Sequence, residues 1–307
     1  MKKNIREIYG GVVVPMVSPL TSDNKIDVES VVKLLKSFLS YGVKPFVLGT
    51  TGEAPSLSRE LRRDLVEISA NFINKKEILF AGISNTSFCD SLEDAQLFSE
   101  LGADVLVATP PPYYPIKDKE LINYFELLAD SISLPLMIYN MPSTTNISIP
   151  MDVIEILSKH SNIIGLKDSE RDVDRIKFAS EKWKLSDDFV FLTGWAASSS
   201  WALEAGAGGI VPSTANLTPD LYQELFDFSQ KNDFKKSEEL QKLVDDISLL
   251  YQKDRILSES LPALKALLSL KDLCRLDVAL PFMRMDKAEE EEYLSKMKIE
   301  LKKLNVL

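Results

Sequence analysis

Three short stretches of the chain carry side chains capable of covalent chemistry. Lys167 follows the run IIGL at residues 163–166, in the segment NIIGLKDS. A lysine in so apolar a strand loses hydration, which disfavours the ammonium and lowers its pKa. A neutral amine of this kind attacks a ketone and forms an imine. The competing reading is a lysine that turns its head to solvent or pairs with its neighbour Asp168. Tyr139 follows Leu136, Met137 and Ile138 in a second apolar run. Its phenol suits proton transfer during imine formation and carbon–carbon cleavage; the alternative is a core tyrosine with a satisfied hydroxyl. Thr50 and Thr51 lie between Gly49 and Gly52, just ahead of a helical pattern. Hydroxyls and exposed N–H groups in such a turn suit a small carboxylate, although N-capping threonines would look the same. Glu53 fits a brace for this turn better than a group acting on substrate.

Other chemistries are excluded by what the chain lacks. It has a single histidine, His160, so a multi-histidine zinc site cannot form and a Ser-His-Asp triad would depend on that one residue. His160 reads as a surface residue near a helix C-terminus. Cys89 and Cys274 make no disulfide framework and read as reduced, buried or half-buried thiols. The net charge of −10 argues against nucleic acid or an anionic membrane surface as a partner. The start MKKNIREIYGG has no apolar stretch behind it, and no run approaches the ~20 apolar residues needed to span a bilayer. A cytoplasmic protein is expected.

These residues need a scaffold that brings them together. Eight apolar, β-rich runs alternate with amphipathic helical patterns. The runs are GVVVPMV at 11–17, PFVLGTT ending near Thr51, ILFAGIS near Ser84, and ADVLVATP near Pro110. PLMIYNMP ends near Pro142, NIIGLKDS near Ser169, FVFLTGW near Trp195, and GGIVPST near Thr214. Continuous apolar strands require cover on both faces, hence a parallel sheet with helical crossovers. Eight units close into a (β/α)8 TIM barrel, whose active site lies at the C-terminal strand ends. A doubly wound open sheet is the other topology, but the first turn, VSPLTSDNK, contains no glycine. Helices are expected at 28–40, from Ser58, and at 233–251, 258–270 and 287–304. The division is residues 1–220 for the barrel core, and 221–307 for the closing barrel helix and a C-terminal helical extension.

In their order and spacing, GTTGE at 49–53, YNMP at 139–142 and GLKDS at 165–169 resemble the three signatures of the dihydrodipicolinate synthase/N-acetylneuraminate lyase family. The resemblance implies class I, pyruvate-dependent aldolase or lyase chemistry, with no metal and no cofactor beyond a covalent imine on Lys167. It makes Tyr139 the general acid/base and Thr50 a proton relay. Thr51 would hold the pyruvyl carboxylate, and Val211 in GGIVPS would line the pocket. Tyr113 in PPPYYP corresponds to a tyrosine that enters a neighbouring subunit's site, with Tyr114 the other choice. Similar proteins are homotetramers built as a dimer of dimers.

Departures from the family pattern bear on substrate. Synthases of the family resemble YNxPxRT, whose arginine grips the aldehyde's carboxylate; here that place is Thr144, which supplies no bidentate cation. Sialate lyases resemble GTDE after the seventh strand; here the sequence is GWAA, with Trp195 a pocket wall or a packing residue at the rim. The pattern favours a 4-hydroxy-2-oxoglutarate or 2-keto-3-deoxy sugar-acid aldolase, with pyruvate or another 2-oxo acid and a small aldehyde as partners. Dihydrodipicolinate synthase is the alternative, and N-acetylneuraminate lyase a minor one. A non-catalytic 2-oxo acid binder on the same scaffold is the contrasting class, against which both Lys167 and Tyr139 argue.

Overall fold

A computed structural model describes residues 4–307. Eight strands form one closed, all-parallel barrel in sequence order: β1 (Gly11–Pro15), β2 (Lys44–Val47), β3 (Phe80–Gly82), β4 (Val105–Ala108), β5 (Leu136–Asn140), β6 (Ile163–Asp168), β7 (Val190–Thr193) and β8 (Gly209–Ile210). β8 closes the ring by pairing Gly209 with Gly11 and Ile210 with Val12. The (β/α)8 expectation holds. The reason is the one read from the strands: nearly every strand residue is buried, so each face needs a partner. One face points into the barrel, where Val13, Phe46, Val107, Met137, Tyr139, Leu192 and Val211 form an inner cluster. The other packs beneath the helices, through residues such as Val14, Val47, Ile138 and Leu166.

The helices are α1 (Ile5–Tyr9), α2 (Val28–Tyr41), α3 (Arg59–Ile73), α4 (Phe88–Leu101), α5 (Asp118–Ser131), α6 (Pro142–Thr145), α7 (Met151–Leu157), α8 (Val173–Lys182), α9 (Ser199–Ala205), α10 (Pro219–Gln230), α11 (Phe234–Gln252), α12 (Leu257–Ser269) and α13 (Lys287–Lys303). Local chemistry sets many of their ends. Asp27, Ser58, Ser87 and Asp172 accept N-terminal amides of α2, α3, α4 and α8. Gly42, Gly102 and Gly206 end α2, α4 and α9 in left-handed geometry. α10 packs on β1 and α2, while α11, α12 and α13 continue against one another.

Several expectations differ in detail. The strands are shorter than the apolar runs, because their C-terminal residues leave the ladder to build loops. β2 stops at Val47 and the chain turns at Leu48, in left-handed backbone with φ of 59°. β8 keeps only two residues, and 213–216 form a 3-10 turn. α1 had no counterpart in the sequence reading. Its Ile5 and the neighbouring Tyr9 pack on the inner cluster, and Arg6 donates to the carbonyls of Gly206 and Ala207. His160 lies just past the C-terminus of α7, as expected, and its ring bridges Asp130 on α5, at 3.1 Å, and the backbone N–H of Asn162. Cys89 is exposed rather than half-buried, while Cys274 is buried and its thiol is pushed up to about 12 by desolvation. Among the described residues, no helix is long and apolar enough to cross a membrane.

Candidate active site

Lys167 and Tyr139 are brought together by strand register. Tyr139 of β5 pairs with Lys167 of β6. Register partners on parallel strands project to the same face, and here that face is the barrel interior. The Lys167 amine lies 3.7 Å from the centre of the Tyr139 ring and 4.9 Å from that of Phe46. Both Lys167 and Tyr139 are only 4% exposed. Burial lowers the Lys167 pKa, opposed in part by attraction between the ammonium and the Tyr139 phenol. For Tyr139, burial acts upward, but Lys167 and hydrogen bonds from Thr50 and Ser169 outweigh it and leave the phenol below its usual value. A weakened ammonium thus faces a phenol that gives up its proton more readily, which suits proton exchange between them.

The alternative pairing of Lys167 with Asp168 does not occur. The next residue along a strand faces the opposite way, and Asp168 is committed elsewhere. Its carboxylate accepts from Arg175 Nε at 2.6 Å, from Asn140 Nδ2 at 2.9 Å and from the Glu170 N–H at 2.9 Å. Asn140 is the register partner of Asp168 and also donates to Glu170. This outer network grips the ends of β5 and β6 from behind, one residue beyond the amine and the phenol. Burial raises the Asp168 pKa, opposed by Arg175. Two close approaches shape the inner side. A Cβ at Gly165 would stand 2.5 Å from the Val190 carbonyl oxygen, and one at Gly194 would stand 2.1 Å from Ser169 Oγ. Ser169 therefore reaches Tyr139 only because Gly194 leaves it room.

Thr50 joins the pair directly: its hydroxyl lies 3.2 Å from the Tyr139 hydroxyl. It stands in a tight turn bracketed by Leu48 and Glu53, both in left-handed backbone without being glycine. Such conformations persist only where surroundings enforce them. Thr51 is buried in the same turn. A cavity of about 460 Å³ opens at this end of the barrel, within the range of small-molecule sites. Phe46, Thr50, Tyr139 and Thr144 line it, and it extends outward to Arg59, Arg62 and Asp94. Lys167 is not part of the wall, but the two rings its amine touches are.

The remaining candidates separate. Val211 faces the inner cluster beside Tyr139. Thr144 reaches the cavity wall, with its hydroxyl bonded to the Met141 carbonyl. Trp195 stands edge-on to Trp201 of α9, ring centres 6.3 Å apart, and packs on the outer core rather than the cavity. Tyr113 and Tyr114 stack edge to face and are 80% and 70% exposed, so neither enters the cavity of its own barrel. Sequence reasoning missed Phe46 and Ser169. Phe46 looked like any strand residue; only the two-residue alternation placing it on the inner face with Tyr139 would have singled it out. Among the described residues, no three His, Cys, Asp or Glu side chains gather as metal ligands.

An eight-stranded barrel with a desolvated lysine beside a tyrosine at the strand ends is compatible with a class I aldolase or lyase. The chain belongs to the Dihydrodipicolinate synthetase family, whose model matches residues 8–300. It is 28% identical to the 4-hydroxy-tetrahydrodipicolinate synthase of Staphylococcus saprophyticus, over 93% of this chain and 94% of the relative. The crystal structure of dihydrodipicolinate synthase from Bacteroides thetaiotaomicron is 31% identical and superposes with a TM-score of 0.89, covering 97% of this chain and 100% of that one. YagE of Escherichia coli K12, solved in complex with pyruvate, shares the fold at a TM-score of 0.89 with 24% identity, over 98% and 100% of the two chains. An uncharacterized DapA-like lyase of Pyrococcus abyssi is 29% identical over 78% of this chain and 82% of its own length.

Proposed function

We propose that the protein cleaves a short 2-oxo acid, of the 4-hydroxy-2-oxoglutarate or 2-keto-3-deoxy sugar-acid type, through a pyruvate enamine on Lys167. The observation that carries this is the register pairing of Lys167 with Tyr139 inside the barrel. The neutral Lys167 amine adds to the substrate's C2 carbonyl; Tyr139 gives its proton to the departing hydroxyl, water leaves, and a protonated imine faces a tyrosinate. The C3–C4 bond then breaks. The 4-hydroxyl proton passes to Tyr139, the aldehyde departs, and the bonding electrons move into the imine as an enamine. Protonation at C3 and hydrolysis release pyruvate and restore the amine. Thr50 relays protons to Tyr139, Thr51 holds the substrate carboxylate, Thr144 lines the cavity, and Val211 packs in the inner cluster with Tyr139. Trp195 is left as a packing residue. No cofactor is required, because the imine itself is the electron sink.

Thr144 supports a 2-keto-3-deoxy sugar acid, which has one carboxylate, over lysine-pathway condensation and over 4-hydroxy-2-oxoglutarate, because it supplies no cation for a second carboxylate. The second reading, 4-hydroxy-tetrahydrodipicolinate synthase condensing pyruvate with aspartate semialdehyde, is favoured by the names of the similar proteins. Both readings share the enamine and differ in the aldehyde. We further propose a cytoplasmic homotetramer in which the exposed Tyr113 of one subunit enters its neighbour's site.

The test is direct. Pyruvate and borohydride added together should attach one reduced adduct, mapped to Lys167 by mass spectrometry and absent from Lys167→Ala. An unmodified wild-type mass would sink both readings. Pyruvate release from a panel of 2-oxo acids, set beside condensation with aspartate semialdehyde, then separates aldolase from synthase.

A further inference from the structure

The helices beyond the barrel hold a lysine that the chemistry does not use. Lys265 lies within α12, and its side chain is 1% exposed. Its ammonium donates to the Ser18 carbonyl at 2.8 Å and to the Asp277 carbonyl at 2.7 Å, and it forms an ion pair with Glu53 Oε1. The two carbonyls take two of the ammonium's three N–H donors, and the carboxylate balances its charge. The other Glu53 oxygen accepts the backbone N–H of Ala279 at 2.7 Å. Glu53 is therefore gripped from α12 and from the segment that follows it.

What Glu53 holds is the threonine turn. Its N–H donates to the Thr50 carbonyl at 3.1 Å, and Gly52 N–H donates to the Gly49 carbonyl at 3.0 Å. Ser18, whose carbonyl Lys265 takes, gives its own hydroxyl to the Gly52 carbonyl at 2.6 Å. A continuous chain of contacts thus runs from Lys265 through Glu53 and the turn to Thr50, and from Thr50 to Tyr139. The turn is closed at Glu53 by a left-handed residue of φ 55°, a conformation that costs energy and needs outside enforcement. A buried ion pair is a poor source of stability compared with apolar packing of the same volume, and it serves best to select one conformation.

We propose that Lys265 and Glu53 are a positioning pair, through which the C-terminal helices lock the Thr50–Thr51 turn in the geometry that presents Thr50 to Tyr139. What the two threonines then do rests on the function proposed above; the locking itself does not. Neither Lys265 nor Glu53 is part of the cavity wall, so neither touches substrate.

Glu53→Gln, Lys265→Met and Ser18→Ala test this, with Leu301→Ala in α13 as a control that loosens the same helices away from the turn. Two readouts are taken at a temperature where circular dichroism shows all variants folded. In the first, amide hydrogen exchange at Gly52, Glu53 and Ala54 should quicken at least tenfold in Glu53→Gln and Lys265→Met, and less in Ser18→Ala. The control, and the amides of β5 and β6 in every variant, should stay unchanged. In the second, the pyruvate concentration that half-saturates borohydride trapping should rise at least tenfold in the same two variants and stay level in Leu301→Ala. Wild-type exchange at the turn in both Glu53→Gln and Lys265→Met would overturn the pairing, whether or not an imine forms. If either variant does not fold, the double variant Glu53→Gln/Lys265→Met decides: it leaves no buried charge, and wild-type exchange at the turn in it would equally overturn the proposal. A wild-type protein that traps no pyruvate would instead remove the proposed function and leave the exchange result standing.

Discussion

At the scale of single residues, the proposed chemistry depends on where one proton resides. Burial lowers the Lys167 pKa below the ordinary 10.5, while Tyr139 pulls it back up. The amine must be neutral to attack, so kcat/KM should rise with pH through a midpoint below 10.5. Replacing Tyr139 by Phe removes the upward pull and should move that midpoint lower still. The same change should cut kcat/KM by about 10²–10⁴, the usual worth of a general acid/base. Borohydride trapping at Lys167 should survive it. A pH–rate profile of the two proteins checks both effects, and a midpoint that rises in Tyr139→Phe would contradict the arrangement. Lys167 and Tyr139 were legible as residues because their apolar flanks in sequence announce burial. Their contact with Phe46 was not, since β2 lies about 120 residues away from β6 in the chain.

At the scale of elements, β6 does the aiming. It fits between β5 and β7 because Gly165 has no side chain, and a Cβ there would press on the Val190 carbonyl. Gly165→Ala should shift β6 and with it Lys167. Misplacement of a catalytic group by about 1 Å costs about 10²-fold in rate. Steady-state kinetics should show a loss of that order in a protein that still folds; an unaltered rate would mean the strand does not set the amine's position. Loops were the least legible elements. GTTGE reads as an ordinary N-capping turn, but the residue that caps α3 is Ser58, beyond it. Nothing local reveals that Glu53 is clasped by Lys265, because α12 is supplied by the far end of the chain. Trp195 was open between two readings for the same reason, and its partner Trp201 places it against α9.

At the scale of the whole molecule, the buried amine is a load on stability. Lys167 has a lower pKa folded than unfolded, so between the two values the unfolded chain binds more protons, and folding is favoured increasingly as pH rises. Below the folded value that stabilisation is absent. Urea midpoints of wild type should therefore climb toward those of Lys167→Met as pH approaches 10.5. At neutral pH, Lys167→Met should be the more stable by about 1 kcal/mol, while forming no adduct. Breaking the other buried amine's pair should act oppositely: Lys265→Ala leaves Glu53 an uncompensated buried charge and should cost about 3–5 kcal/mol. Urea unfolding distinguishes the two lysines, and equal effects of the two substitutions would show that the contrast drawn between them is wrong.

The residues alone determined the alternation of strand and helix and the closure into eight units, and they singled out Lys167 and Tyr139 as candidates. Each of these is written in local periodicity and local hydrophobicity, which a short window of chain carries in full. Only the tertiary structure decided which strand residues face inward, how far the strand ends unwind into loops, and which side chains surround Lys167 and Glu53. Those outcomes depend on register between neighbouring strands and on groups from opposite ends of the chain. Desolvation, which lowers the Lys167 pKa, is likewise a property of the closed barrel and not of any segment of it.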